Sequence, residues 1–324
     1  MLNAAIIGLG WWGKELVRAT MGSELLRVTR GVTLDLGAAR NIAAECDLTI
    51  GTSYEDVLAD PAIDAVILAT PHSKHRGQVE AAAAVKKHVF CEKPFALNVP
   101  DAKAAIGACR AAGVALGVGH NRRLWPSIAR MKELVASGAL GTLMHAEGDY
   151  SHDWLANQPA GDWRSMAAET RAGGVTGMGI HLLDAYSFLV GPMKRIAALS
   201  TRRTLPLETG DTTAAFIEFA DDMTGTISTT LKTPYIWRLA IFGSDAWVES
   251  TGETSLVMRR AGGEPETIEF PQVNHIGQNL ESFARAALGR GAYYIDDAGI
   301  VHTVAALEAV FRSVDERGAW QQVA

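Results

Sequence analysis

Over the first 120 residues, short apolar runs alternate with alanine-rich stretches. The pattern predicts strands at Ala4–Gly8, Val28–Leu34, Ala65–Ala69, His88–Cys91 and Val114–Val118, runs of a length that suits buried strands. Between them, Lys14–Thr20, Ala38–Glu45, Gly77–Lys87 and Pro100–Ala112 are rich in Ala, Glu, Lys and Arg, good helix formers. Strand, helix, strand, helix is the order of βαβ units wound on both faces of a parallel sheet.

From about Gly141 the texture turns β-rich, with predicted strands at Gly141–Tyr150, Ile196–Arg203, Thr212–Phe219, Thr224–Lys232, Trp237–Phe242, Ala246–Glu249 and Ser255–Met258. Turn residues such as Ala220-Asp221-Asp222 join consecutive strands, which implies a mostly antiparallel sheet. Predicted helices cover Ile128–Ser137, Gly177–Val190, Gly277–Leu288 and Asp297–Arg317. The expected fold class is α/β: a doubly wound parallel sheet over residues 1–121, then an α+β domain with a large open sheet over residues 122–324.

A length of 324 residues, 48% hydrophobic and 20% charged, suits an ordinary soluble protein of two domains. The net charge of −6, with no lysine- or arginine-rich block, gives no footprint for nucleic acid or an anionic membrane, so neither is expected as a partner. Cys46, Cys91 and Cys109 are too few and too unpatterned for a disulfide framework or a zinc site and read as buried small hydrophobes. Their odd number suits a reducing compartment. The apolar start, Leu2 to Trp12, has no basic residues before it and is interrupted by glycines, unlike a secretory signal. A cytoplasmic location is therefore expected.

Gly8-Leu9-Gly10-Trp11-Trp12-Gly13 ends the first predicted strand and opens the first helix, the context in which G-x-G-x-x-G signals a bound dinucleotide. Gly8 allows the tight turn, Gly10 lets backbone approach a pyrophosphate, and Gly13 lets helix and strand pack closely. The helix N-terminus then offers its N–H groups to the phosphates. At the end of the second strand, Asp35 is one candidate for the acid that binds a ribose 2′-hydroxyl. Alignment by the following helix instead puts Thr33 at the strand tip, which admits NADP as well as NAD, and the reading leans to NADP.

Further motifs follow in order: Thr70-Pro71-His72-Ser73-Lys74-His75, Glu92-Lys93-Pro94, Asn121-Arg122-Arg123, Trp163-Arg164, Gly173-Gly174 and Gly179-Ile180-His181-Leu182-Leu183-Asp184. Together with the glycine motif they resemble the glucose–fructose oxidoreductase, inositol dehydrogenase and rhizopine catabolism protein family over nearly the whole chain. The resemblance implies a Rossmann domain followed by a substrate domain whose open sheet serves for assembly as a homodimer or homotetramer.

The resemblance assigns Lys93 to the reacting oxygen beside the nicotinamide, where an ammonium stabilises alkoxide charge, and implies a cis peptide before Pro94. It makes His181 the general acid or base. It extends cofactor contacts to Trp11, Trp12, Thr70, Pro71, His72, His75, Glu92 and Lys93. For the substrate, Arg123, Trp163, Arg164 and Asp184 join Lys93 and His181, with Asn121, Arg122 and His152 as further candidates; an ion pair at the domain interface is the alternative for Arg123. The family's usual aspartate four residues before the histidine is Gly177 here, leaving Asp184, Thr176 or water to assist. No metal is expected, since His72 and His75 have no third ligand in view.

The expected function is therefore NAD(P)-dependent hydride transfer to or from a secondary carbinol or carbonyl carbon of a sugar, cyclitol or sugar-acid-like small molecule. Two alternatives stay open: a glycosidase or lyase that retains its cofactor through transient oxidation, and a non-catalytic dinucleotide-dependent regulator.

Overall fold

Six short strands pair as one parallel sheet: β1 (Leu2–Ile7), β2 (Leu26–Val32), β3 (Thr49–Gly51), β4 (Ala65–Leu68), β5 (His88–Cys91) and β6 (Leu116–Val118), in the order β3-β2-β1-β4-β5-β6. Ala65 to Leu68 are all fully buried, as expected of a strand covered on both faces. The intervening helices are α1 (Trp11–Ala19), α2 (Leu36–Cys46), α3 (Tyr54–Ala59), α4 (His75–Ala84) and α5 (Val99–Ala112). Asp35, Ser53 and Asn98 cap α2, α3 and α5 by accepting the N–H three residues on, and Gly113 closes α5 in the left-handed region. The chain passes from edge strand β3 back across to β4, so strand order reverses between β1 and β4. In a doubly wound sheet that switch point opens the crevice where ligands bind.

The computed structural model describes residues 1–157 and 161–324, in two compact units. The parallel sheet belongs to a unit of Met1–Asn121 and Asn274–Ile300; the other comprises Arg122–Val273 and Val301–Ala324. The second unit is built on α6 (Pro126–Ala136), α7 (Gly179–Leu189) and β7 (Leu143–Ser151), β8 (Met193–Thr201), β9 (Thr212–Phe219), β10 (Thr224–Thr230), β11 (Ile236–Gly243), β12 (Ala246–Ser250), β13 (Ser255–Arg260) and β14 (Glu266–Glu269). Completed by β15 (Gln321–Gln322), these strands form one sheet, β14-β13-β12-β11-β7-β10-β9-β8-β15. Every described pairing is antiparallel except β7 with β10. Alternation along β7 turns Ala146, Gly148 and Tyr150 inward, and a side chain at Gly148 would strike Tyr186 and Leu182 of α7. On the opposite face Arg238 bridges Glu147 and Glu249, and Phe216 and Leu199 stand exposed.

The remaining helices are α8 (His275–Ala287) and α9 (Asp297–Asp315). α8 is amphipathic and sends Leu280, Phe283 and Ala284 into the core beside Ile6, Ile67 and Phe90. Asn279 and Tyr293 both donate to the Val118 carbonyl at the end of β6. The stretch Asn274–Ile300 thus returns to the first unit, whereas sequence patterning placed it with the second. Cys91 and Cys109 are buried, while Cys46 is only half-buried, a correction to the reading of all three as core residues. Among the described residues no helix is long and apolar enough to cross a membrane, and no three His, Cys, Asp or Glu side chains group as a metal site.

Candidate active site

At the end of β1, Gly8 has φ +102°, and a Cβ on it would sit 2.5 Å from the Ala69 carbonyl oxygen. A Cβ at Gly13 would run into the Gly8 carbonyl. Gly10 is the N-cap of α1, with no side chain capping the helix and nothing within 4 Å of where a Cβ would stand. A tight turn, close packing and an open helix N-terminus are the steric conditions for a pyrophosphate cradle. Trp11 is exposed beside it, its ring 5.4 Å from that of Trp12.

β2 ends at Val32, so Thr33 is the first residue past the strand tip. Asp35 lies two residues on, and its Oδ1 accepts the Ala38 N–H at 2.9 Å as the cap of α2. The Thr33 hydroxyl accepts the Asp35 N–H at 3.2 Å.

The segments that follow β4 and β5 carry the next motifs. The Thr70 hydroxyl donates to Gln78 Oε1 at 2.6 Å. His72 opens a short 3-10 turn, and its ring lies 5.8 Å from that of His75. His75 is fully buried, so the sequence assignment of this residue to cofactor contact gives way to an internal role. Glu92 is buried over Gly119, where a Cβ would overlap its carboxylate, and it accepts the Lys93 N–H at 3.1 Å. Burial pushes the Glu92 carboxyl up to about 7, against the pull of the Trp12 indole, the Lys93 charge and the Lys93 N–H. The Lys93-Pro94 peptide is cis, as the motif implies.

In the second unit His181 lies in the first turn of α7, 7% exposed. The Tyr150 ring from β7 is 6.0 Å from it, and the His152 ring is 5.4 Å from Tyr150. Arg122 donates to the Tyr150 hydroxyl at 2.6 Å and lies over the faces of Trp125, Tyr150 and Trp237 at 4.2, 4.3 and 4.7 Å. Sequence reasoning missed this aromatic cage. Its signals were Tyr150 on the inward parity of β7 and Trp237 opposite it on β11.

Arg123 and Asp184 form a buried bidentate pair, at 2.9 and 2.7 Å, which Thr303 joins at 3.3 Å. Both side chains are engaged in this pair, which lies within the second unit and not at the domain interface that the alternative for Arg123 supposed, and Asp184 turns to Arg123 although one helical turn separates it from His181. The Thr176 hydroxyl donates to the Arg171 carbonyl at 2.6 Å, so it is engaged with backbone. Gly177 lies in the turn before α7, which begins only at Gly179. Two weak helix formers, Gly177 and Gly179, explain the later start. Arg164 stacks on Trp163 at 4.2 Å and on Trp154 at 5.3 Å, half-buried.

A glycine cradle at the switch point of a doubly wound sheet, followed by an α+β unit, defines a dinucleotide-binding protein of Rossmann type. Family models agree: residues 2–120 match the oxidoreductase family with an NAD-binding Rossmann fold, and residues 128–249 match the GFO/IDH/MocA C-terminal domain. The chain belongs to this GFO/IDH/MocA oxidoreductase family. It is 31% identical to the 2,7-anhydro-N-acetylneuraminate hydratase of Escherichia coli K12 over 59% of this chain and 50% of that protein. It is 25% identical to the NADP-dependent D-xylose 1-dehydrogenase of Haloarcula marismortui over 90% of this chain and 85% of the relative. Several curated relatives are matched over only about half their length. A levoglucosan dehydrogenase solved with NADH and levoglucosan shares the fold, with a TM-score of 0.88, 21% identity and 99% of each chain covered.

Proposed function

We propose that this protein is an NAD(P)-dependent oxidoreductase that moves a hydride to or from a secondary carbinol carbon of a sugar, cyclitol or sugar acid. The observation that carries the reading is Lys93, past the end of β5, one strand beyond the switch point, and directly after a buried carboxyl. The bound nicotinamide supplies or accepts the hydride. Lys93 hydrogen-bonds the reacting oxygen and stabilises its developing charge, and His181 exchanges the hydroxyl proton. Thr70, Pro71 and His72 flank the cofactor, and Arg122, His152, Trp163 and Arg164 bind substrate hydroxyls or a carboxylate.

NADP is the proposed cofactor. Asp35 is engaged as a helix cap, and Thr33 at the strand tip puts no carboxylate against a 2′-phosphate. The enzyme is proposed to act in the cytoplasm as a homodimer or homotetramer, two copies meeting through the uncovered sheet face that bears Phe216, Leu199 and the Glu147-Arg238-Glu249 ladder. Sedimentation showing only monomer at micromolar concentration removes that assembly.

Calorimetry with NAD(H) and NADP(H), followed by nicotinamide absorbance with D-xylose, levoglucosan and 2,7-anhydro-N-acetylneuraminate, tests the reading. Tight cofactor binding together with turnover, the turnover being lost in a Lys93→Ala, His181→Ala double variant, is the expected result; no binding at all overturns it. The likeness to a hydratase favours a second reading, in which the cofactor stays bound and is regenerated in each cycle. Product formation without net change in nicotinamide absorbance is its signature.

A further inference from the structure

We propose that His75 is a positioning residue for Lys93, held as a buried imidazolium that ties the segment after β4 to the segment after β5. Its ring is fully buried. Nδ1 lies 2.9 Å from the Pro94 carbonyl oxygen and Nε2 lies 3.1 Å from the Thr70 carbonyl oxygen. A carbonyl oxygen can only accept, so a neutral ring donates to one of the two and turns a lone pair toward the other. The imidazolium donates to both, and charged donors make hydrogen bonds roughly twice as strong as neutral ones.

The two carbonyls give the tie its meaning. Thr70 opens the segment between β4 and the 3-10 turn, and is anchored a second time through its hydroxyl on Gln78. Pro94 follows Lys93 directly, so the Pro94 carbonyl fixes the backbone that carries the ammonium. Two segments that leave neighbouring strands are thereby held at one spacing by one ring. The charged and titratable neighbours pull in opposite senses. Lys74 and Arg76 on its own segment, Lys103 on α5, and Lys93 oppose a positive ring, as does His72 when protonated. Glu80 on α4 and Asp101 on α5, both paired with Arg76, favour it, as does Glu92 after β5 once it is ionised above about pH 7. The Cys91 thiol, which burial pushes far up, stays neutral. The two carbonyls favour the second proton against the cost of burying a charge, and its loss releases one of the two segments. The part of the proposal that concerns catalysis rests on the reading of Lys93 given above; the protonation state and the tie do not.

Nitrogen-15 spectra of histidine-labelled protein test it, with His75→Gln identifying the His75 signals among the nine histidines. Both ring nitrogens are expected to carry slowly exchanging protons at neutral pH; a single protonated nitrogen overturns the proposal. Backbone hydrogen exchange over residues 69–74 and 92–96 is expected to rise in His75→Gln relative to α5. In the wild type it rises with pH beyond the base-catalysed increase seen in α5, and unchanged exchange overturns the tie. If His75→Gln does not fold, the wild-type spectrum, assigned through space to Pro94, and the wild-type exchange profile decide the matter. On whichever sugar of the panel turns over, the variant loses roughly ten- to a hundredfold in kcat, as for a displaced catalytic group, and the cofactor KM, set in part by Thr70, Pro71 and His72, rises as well. Turnover that survives Lys93→Ala while the ring remains doubly protonated removes the reading of Lys93 and leaves the tie standing.

Discussion

Glu92 shows how one side chain can couple the site to pH. Its carboxyl is pushed up to about 7 by burial, above the ordinary carboxylate value of 4.5, so the folded state holds this proton more tightly than the unfolded chain. The group's favourable contribution is therefore complete below the unfolded value and is lost as pH rises through the folded one. Urea unfolding at about pH 5 and pH 8 should show the wild type losing more stability between them than Glu92→Gln. Equal pH dependence in the two proteins would sink the idea. Gly8 and Gly13 were legible in the sequence because their demands are local: a turn and a close approach a few residues apart. The pairing of Arg123 with Asp184 was not, since the partners stand 61 positions apart and nothing local tells an internal ion pair from a substrate contact. Nor could sequence reveal that His75 meets two carbonyls, because backbone acceptors exist at every residue.

Among the elements, periodicity found those long enough to show one. β5, β9 and the C-terminal end of α5 stand where the pattern put them, and β2 and β8 begin two and three residues earlier. β3 and α3, of three and six residues, are too short to display a period. β14 is rich in acidic residues and β15 is two glutamines, so neither carries an apolar signal; both lie at the edges of their sheet, where polar residues suffice. α8 was seen as a helix, yet nothing in its pattern says which core it enters. Phe283 is fully buried there and meets Phe90 edge-on at 5.7 Å. Phe283→Ala should cost roughly 3–5 kcal/mol in denaturant unfolding of the parallel-sheet unit. A loss below about 1 kcal/mol, within the range of ordinary surface substitutions, would show that α8 adds little to that core.

At the scale of the whole molecule, the first unit is discontinuous: the chain leaves it after Asn121 and comes back at Asn274. A fragment ending at Asn121 lacks the Leu280, Phe283 and Ala284 face and leaves Ile6, Ile67 and Phe90 without part of their cover. Such a fragment should show no cooperative thermal transition, whereas residues 1–121 joined by a short flexible linker to residues 274–300 should regain one. A sharp transition in the shorter fragment would contradict this. The consequence reaches into biosynthesis. A ribosome delivers the dinucleotide cradle and its five longer helices first, and must then add more than a hundred further residues before the last piece of that core emerges. During that interval an apolar surface on the nascent unit stays uncovered, open to chaperones and to mispairing with neighbouring chains. Productive folding of this protein is therefore expected to depend on the order in which its parts are made as well as on the contacts they finally form.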